Sequence, residues 1–316
     1  MAYSPALRTT SRNVRYVVIS PVRNEAQYLD ETIRCVVAQT VRPAQYILVD
    51  DGSTDGTFEI MQNWATKHPW IVPVHRPDSA GIQTQTSSGS ESQTERGKRA
   101  REAKEILAFY FGYEQVMTVN WDYLVKLDGD LGMDEDYFQR CFSIFDREPQ
   151  LGVGGGVICH FMNGQSVVER NPYFHVRGAT KIYRRACWEA IGGVSCGAAW
   201  DTLDETKANM LGWTSRSFPE LHVIHYRYTG AANGTWQNAV KKGEWNYISG
   251  YHPLFMAAKC LKHLFKRPWV TGAAGLLYGY ILASASGAAR VDDKDLIRYI
   301  QDQQLRRLML RPTIWR

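Results

Sequence analysis

Paired cysteines are missing from this sequence. Its six cysteines (Cys35, Cys141, Cys159, Cys187, Cys196 and Cys260) are scattered, and no two form a CxxC. That excludes a disulfide framework and a cysteine-based zinc site, and it implies a reduced, cytoplasmic chain. An apolar run is also missing from the first residues, MAYSPALRTTSRNVR, so no secretory leader is expected there. Internal repeats are absent, which argues against a solenoid or propeller. Charge of one sign is in only slight excess, +5 with a pI near 8.8, so no nucleic-acid partner is implied. The basic stretches KCLKHLFKR (259–267) and RRLMLR (306–311) suit either a solvated face or an anionic surface. With 316 residues, 44% hydrophobic and 22% charged, the chain has the composition of an ordinary globular protein of one large or two small domains.

The front half alternates between two periods. YVVIS (16–20), YILVD (46–50), WIVPV (70–74) and YLVKLD (123–128) are short apolar runs suited to strands. Between them, LDETIRCVVAQT (29–40), TFEIMQNWATKH (57–68) and REAKEILAFYFGYE (101–114) carry apolar residues at helical spacing. This is the pattern of βαβ units around a parallel sheet buried on both faces, an α/β class. Residues 79–97 break it with Ser, Thr, Gln and Gly, and predict a mobile loop. Beyond 150, LGVGGGVICHF suggests a glycine-thinned strand and ATKIYRRACWEAIGGV a strand and then a helix stopped by Gly192 and Gly193. WDTLDETKANMLGW (200–213) predicts a helix, and SRSFPELHVIHYRY a strand interrupted at Pro219.

Acids cluster where strands end. In VISPVRNEAQYLDETI a strand stops near Pro21, and Arg23, Asn24 and Glu25 form a polar elbow before a helix. In a parallel sheet that edge is where ligands bind. In ILVDDGSTDGT, Asp50 and Asp51 close the next strand, and Ser53, Thr54 and Asp55 are placed to cap the following helix. One acid suffices for a cap, so the doubled Asp points to a ligand's base or ribose. In LDGD, Asp128 and Asp130 lie two apart on an extended segment and so point the same way, with Gly129 letting the backbone come close. Such a pair suits a hard divalent cation that keeps open positions for phosphate oxygens. A turn acid plus a helix cap would explain LDGD alone. Three acid clusters on one edge are better explained by a site.

PVRNE, VDDGSTDGT and LDGD, in this order, resemble the family 2 glycosyltransferases with the GT-A fold, over roughly residues 14–230. The resemblance implies a Rossmann-like, mostly parallel sheet flanked by helices. It also implies an inverting transfer from a nucleotide-diphosphate sugar to an acceptor hydroxyl, a UDP-sugar being the first choice of donor. Carried over, Pro21, Arg23 and Glu25 line the nucleotide pocket and Asp51 contacts the base. Asp128 touches ribose or metal, and Asp130 ligates Mg²⁺ or Mn²⁺. In GKRARE, Lys98 and Arg101 fall where the family meets the phosphates, with Glu102 in place of an Asn. The family's base sits in an ED element about eleven residues before a Gly–aromatic pair. Counting back from Gly212–Trp213 gives Asp201, with Trp200 in place of the usual Glu; Asp204 lies one turn on and is the alternative. His225 falls where some GT-A enzymes supply a third metal ligand. A catalytically silent scaffold of the same fold and a nucleotidyltransferase are the competing readings. The intact acids speak against the first, and the lack of a glycine-rich basic loop after the first strand against the second.

Residues 236–316 read as a C-terminal helical extension. HPLFMAAKCLKHLF (252–265) is amphipathic, and 269–289 holds 21 residues without a charge. A packed helix pair explains this segment. Peripheral attachment to the inner face of the cell membrane explains it as well, with the Leu, Phe and Met face of 252–265 turned to lipid and basic flanks on the headgroups. That second reading brings in a lipid-linked glycan acceptor and a role in bacterial polysaccharide or surface-glycan synthesis.

Overall fold

The computed structural model describes residues 14–76, 104–162, 165–169, 171–195, 200–227, 235–265 and 269–315. The expected loop at 79–97, Lys98 and Arg101 lie outside these residues. The front half follows the predicted alternation: β1 (Tyr16–Val22), α1 (Leu29–Val37), β2 (Gln45–Asp50), α2 (Thr57–Lys67), β3 (Ile71–His75), a helix over 104–113 (α3), and β4 (Tyr123–Leu127). Then come β5 (Leu131–Gly132), α4 (Tyr137–Arg147), β6 (Leu151–Met162), β7 (Gln165–Val168), β8 (Thr180–Arg184), α5 (Arg185–Ile191), α6 (Trp200–Met210) and β9 (Thr214–His225). Four helices close the chain: α7 (Thr235–Ile248), α8 (Pro253–His263), α9 (Trp269–Ala285) and α10 (Lys294–Leu308).

All the strands join one sheet in the order β3-β2-β1-β4-β8-β6-β9-β5, with β7 on β6. β1 to β4 are parallel neighbours, β8 is antiparallel to β4 and to β6, and β6 pairs parallel with β9. Six of the nine described strands therefore run one way. Alternate residues of the parallel strands feed two separate cores. Tyr16, Val18, Tyr46, Leu48, Tyr123 and Val125 pack with α1, α2 and α4 on one face. Val17, Ile19, Ile47, Val49 and Leu124 pack with α3 and α5 on the other. Burial on both faces is why these strands read as unbroken apolar runs. The interruption at Pro219 is a register shift: Gly156 pairs with Phe218, but Val157 pairs with His222. β5 and β7 were not legible, since two- and four-residue strands carry almost no period.

The C-terminal helices pack on α6 and on one another. Leu203 of α6 meets Leu296 and Ile300 of α10. α7 and α9 approach so closely that a Cβ on Gly279 would lie 1.9 Å from the Val240 carbonyl oxygen, and one on Gly243 would lie 2.1 Å from that of Leu276. The small residues of the uncharged segment thus serve helix contact on one face of α9. The other face exposes Trp269, Val270, Leu277, Tyr278, Ile281 and Leu282. Among the described residues no helix is long and apolar enough to cross a membrane. The apolar stripe of α8 also divides: Leu254 and Leu261 are exposed, whereas Met256 is buried against Leu276 and Tyr280, so methionine is not part of the outward face.

Gly279→Ala should cost about 1–3 kcal/mol of stability, because the added methyl must push two backbones apart. Denaturant unfolding measures it; an unchanged midpoint would show that α7 and α9 can separate freely.

Candidate active site

The three strand-end motifs meet because backbone amides of one are held by side chains of another. Asn24 adopts a left-handed φ of 54°, its N–H donates to Ser53 Oγ (2.9 Å), and its own Oδ1 accepts from the Thr54 N–H (2.9 Å). The Glu25 N–H donates to Thr57 Oγ1 at 2.9 Å, and the Ala26 N–H to Asp55 Oδ2 at 3.1 Å. Ser53 and Thr54 were expected to cap α2. The residue at its N-cap is Gly56, with no side-chain cap, and both instead tie the second loop to the first. Asp55 alone keeps a cap-like role, accepting from the Thr57 N–H at 3.1 Å. The LDGD turn is pinned from α1, where Thr32 Oγ1 donates to the Gly129 carbonyl and accepts from the Leu131 N–H, both at 2.9 Å. A Cβ on Gly129 would lie 2.6 Å from Val22, so only glycine lets this turn lie against the first motif.

Around that turn, one ligand atom each from Asp128, Asp130 and His225 lies within 4.8 Å of the others. β5 and β9 set the third member, since Leu131 pairs with His225 across the antiparallel ladder. His225 Nε2 is 3.1 Å from Asp130 Oδ2, and its Nδ1 is buried with no hydrogen-bond partner. Burial opposes the charged imidazole, but the hydrogen bond and charge of Asp130 raise its pKa above the ordinary value. Two carboxylates and an imidazole with an orphaned buried nitrogen fit a divalent cation such as Mg²⁺ or Mn²⁺. Arg227, which follows on the same segment, pairs with Glu25 and lies 3.8 Å from Asp130 Oδ2. Burial first, and the Asp130 charge second, raise the Glu25 carboxyl to about 7.

Pro21 stands at the end of β1, paired with Val49, and Arg23 is exposed just past it. Asp51 is buried and accepts from Arg76 Nε at 2.8 Å, with a second bond from the same guanidinium. Asp50 accepts from the Ser53 N–H (3.1 Å) and lies 2.8 Å from His75 Nδ1. The doubled aspartate therefore answers the end of β3, residue for residue.

The base candidates separate clearly. Asp204 is 2% exposed, lies 3.0 Å from Lys181 Nζ and accepts from the Tyr183 hydroxyl. Burial holds its carboxyl above the usual range, although Lys181 opposes the shift. It belongs to the interior. Asp201, with a quarter of its side chain exposed, has His175 Nε2 at 3.9 Å from its Oδ2. His175 Nδ1 in turn lies 3.0 Å from the buried Glu205, whose other oxygen accepts from the Val176 N–H (2.7 Å) and lies 3.0 Å from Lys181 Nζ. Burial works against a charged His175, but the Glu205 carboxylate outweighs it and the net shift is upward.

Under both halves of the site lies a cluster that sequence reasoning missed. Lys126 and Lys181 are direct cross-strand partners on β4 and β8, both fully buried. Lys126 Nζ is 2.6 Å from Glu105 and 2.5 Å from Asp128, and it donates to the Gly178 carbonyl at 2.9 Å. Burial alone would lower its pKa; Asp128 and Glu105 hold it above the ordinary value. Trp200 covers both ammonium groups, its ring 5.4 Å from one and 5.2 Å from the other. The signal was a lysine inside each apolar run, YLVKL and TKIYR, but the carboxylates that tolerate it come from α3 and α6.

Residues 17–91 match the model of glycosyl transferase family 2. That stretch holds the first two strand-end motifs, so the front of the chain is similar to family 2 glycosyltransferases over residues 17–91. The chain is 27% identical over 159 residues to glycosyltransferase AglE of Haloferax volcanii, covering 50% of this chain and 44% of that protein. It is 37% identical over 73 residues to the cholesterol galactosyltransferase of Borreliella burgdorferi, covering 23% and 20%. The chain thus spans less than half the length of these curated relatives. In fold it is similar to mannosyltransferase PcManGT from Pyrobaculum calidifontis, solved with GDP-Man and Mn²⁺. The TM-score is 0.52 at 16% identity, covering 91% of this chain and 79% of that one. The domain has the GT-A architecture: a curled, mostly parallel sheet flanked by helices.

Lys181→Met should destabilise the protein by about 3–5 kcal/mol, because Asp204 and Glu205 would be left buried without their cation. Urea unfolding of the variant at neutral pH checks this, and a loss under about 1 kcal/mol would mean the carboxylates are neutral in the folded state.

Proposed function

We propose that this chain is an inverting glycosyltransferase that moves a sugar from a nucleotide-diphosphate donor to an acceptor hydroxyl. The observation that carries the reading is the gathering of Asp128, Asp130 and His225 at the strand-end edge, with Asp201 rooted in the same buried cluster. The domain limits proposed are 14–230 for the transferase part, with 236–316 as its helical extension. Pro21, Arg23, Glu25 and Asp51 border the nucleotide side, and Lys98 and Arg101 are assigned to the phosphates. Asp128, Asp130 and His225 would hold a divalent cation, which as a Lewis acid takes up charge on the departing diphosphate.

The chain's own residues do the rest. Asp201 accepts the acceptor's hydroxyl proton as that oxygen bonds to the anomeric carbon, and the bond from that carbon to the diphosphate oxygen breaks. His175, held by Glu205, lies 3.9 Å from Asp201 and orients its carboxylate. One displacement with the base on the acceptor side inverts the anomeric centre. UDP-sugars remain the first donors to test, and the GDP-Man bound by the Pyrobaculum protein puts GDP-sugars beside them.

The acceptor side favours a lipid-linked glycan at the inner face of a membrane, as in polysaccharide or surface-glycan assembly. Support comes from the outward apolar face of α8 and α9, where Leu254, Leu261, Trp269 and Ile281 are all more than half exposed. Exposed apolar side chains on helices that also carry basic residues such as Lys262 suit an anionic lipid interface.

Asp130→Asn should abolish cation binding. At a hundredfold excess of Mn²⁺ over its Kd, the wild type should gain about 2.7 kcal/mol and unfold at higher temperature, and the variant should not. Equal stabilisation of both would remove the metal role. Asp201→Asn should lower turnover of a UDP- or GDP-sugar by about 10²–10⁴-fold while leaving donor affinity unchanged. Retained turnover would rule out Asp201 as the base.

A further inference from the structure

Behind the base helix lies a cavity of about 280 Å³ that none of the transfer chemistry uses. Thr202, Leu203 and Thr206 of α6 form one wall, and α7, α8, α9, α10 and Trp315 form the others. Its charge is one-sided. Lys242, Lys259 and His263 line it, and no carboxylate does among the described residues. Among the described residues Lys259 is held by neutral groups: its Nζ is 3.2 Å from Asn246 Oδ1 and 5.1 Å from the Tyr251 ring centroid. Burial, and then the neighbouring Lys242 charge, push the Lys259 ammonium down to about 8. Two more donors are unused. The indole N–H groups of Trp245 and Trp315, both lining residues, are buried with no hydrogen-bond partner.

At Lys126 and Lys181 the buried ammonium groups are matched by carboxylates. Here two cations, two orphaned N–H donors and two threonines surround an open space without an anion. A buried ammonium without a counter-charge is costly, and so is an unpaired buried donor. Both penalties disappear when an oxyanion with several acceptor oxygens enters, because charge-assisted hydrogen bonds replace lost hydration. We propose that this cavity is a binding site for a phosphate group, held by Lys259, Lys242 and the two indole N–H groups. Its wall is the helix that begins with Trp200 and Asp201, which puts it on the acceptor side of the reaction. That placement, unlike the binding itself, rests on the transfer reading. An acceptor carrying a phosphate or diphosphate would be anchored there while its hydroxyl meets Asp201.

The test uses the full chain in EDTA, so that no cation recruits phosphate to Asp128 and Asp130. Titration calorimetry with inorganic pyrophosphate should give saturable binding to the wild type, and Lys259→Met should weaken it at least tenfold. Without ligand, Lys259→Met should unfold at the same temperature as the wild type or higher, since it removes an uncompensated buried charge. A purely structural lysine would give the opposite thermal result. Asp201→Asn should bind pyrophosphate normally, so loss of transfer and loss of this site are read separately. Polyprenyl monophosphate in detergent micelles, set against micelles alone, distinguishes the sources. Competition with pyrophosphate identifies a lipid phosphate; pyrophosphate binding without competition identifies a soluble one. No binding to the wild type at millimolar pyrophosphate, or equal binding to Lys259→Met, overturns the proposal.

Discussion

Two lysines side by side in the middle of a sheet set the terms for the whole site. Lys126 and Lys181 are direct neighbours on antiparallel strands, and like charges in that position repel. They are stable there only because carboxylates alternate around them: Glu105 and Asp128 at one, Asp204 and Glu205 at the other. Trp200 lies over both and shuts out water. The four carboxylates arrive on three elements, so the cluster locks α3, the end of β4 and α6 to one another. Asp128 is thereby fixed at the strand-end edge and Asp201 is carried on the first turn of α6. The tryptophan that replaces the family's usual acid is the lid of this arrangement.

The same logic governs the edge of the sheet. Backbone donors left open by the tight elbows after β1 and β2 are satisfied by side chains of the neighbouring loop, Ser53 and Thr57 for one and Asn24 for the other. Strand-end loops that complete each other cannot drift independently. Preorganisation of this kind keeps acidic groups close at an energetic cost that a bound cation and diphosphate would repay. Glu25, with its raised pKa, and Arg227 beside it tie the loop after β1 to the segment after β9.

The C-terminal helices extend the site. α9 presents glycine to α7 on one face and large apolar side chains outward on the other. The first makes a dense helix pair, and the second leaves a surface that water solvates poorly. Between this pair and α6 the chain encloses a cavity lined by Lys242 and Lys259, chemically distinct from the acidic sheet edge.

Much was legible in the sequence by itself. Apolar runs alternating with helical spacing determined the βαβ order, because burial on both faces leaves a parallel strand mostly apolar. The strand-end acids marked the sheet edge as a candidate site, because ligands collect where parallel strands stop, and His225 was picked out only by the family resemblance. Other features were decided only by tertiary structure. The choice between Asp201 and Asp204 turned on one helical turn, which buries the second acid against Lys181 and Tyr183 and leaves the first in reach of solvent. The partners of Asp51, the pairing of Glu25 with Arg227 some 202 residues away, and the His175–Glu205 support are contacts between distant elements that no local period encodes. Sequence periodicity reports which face of an element is buried; it cannot report what is buried against it, and at this site the chemistry resides in that second fact.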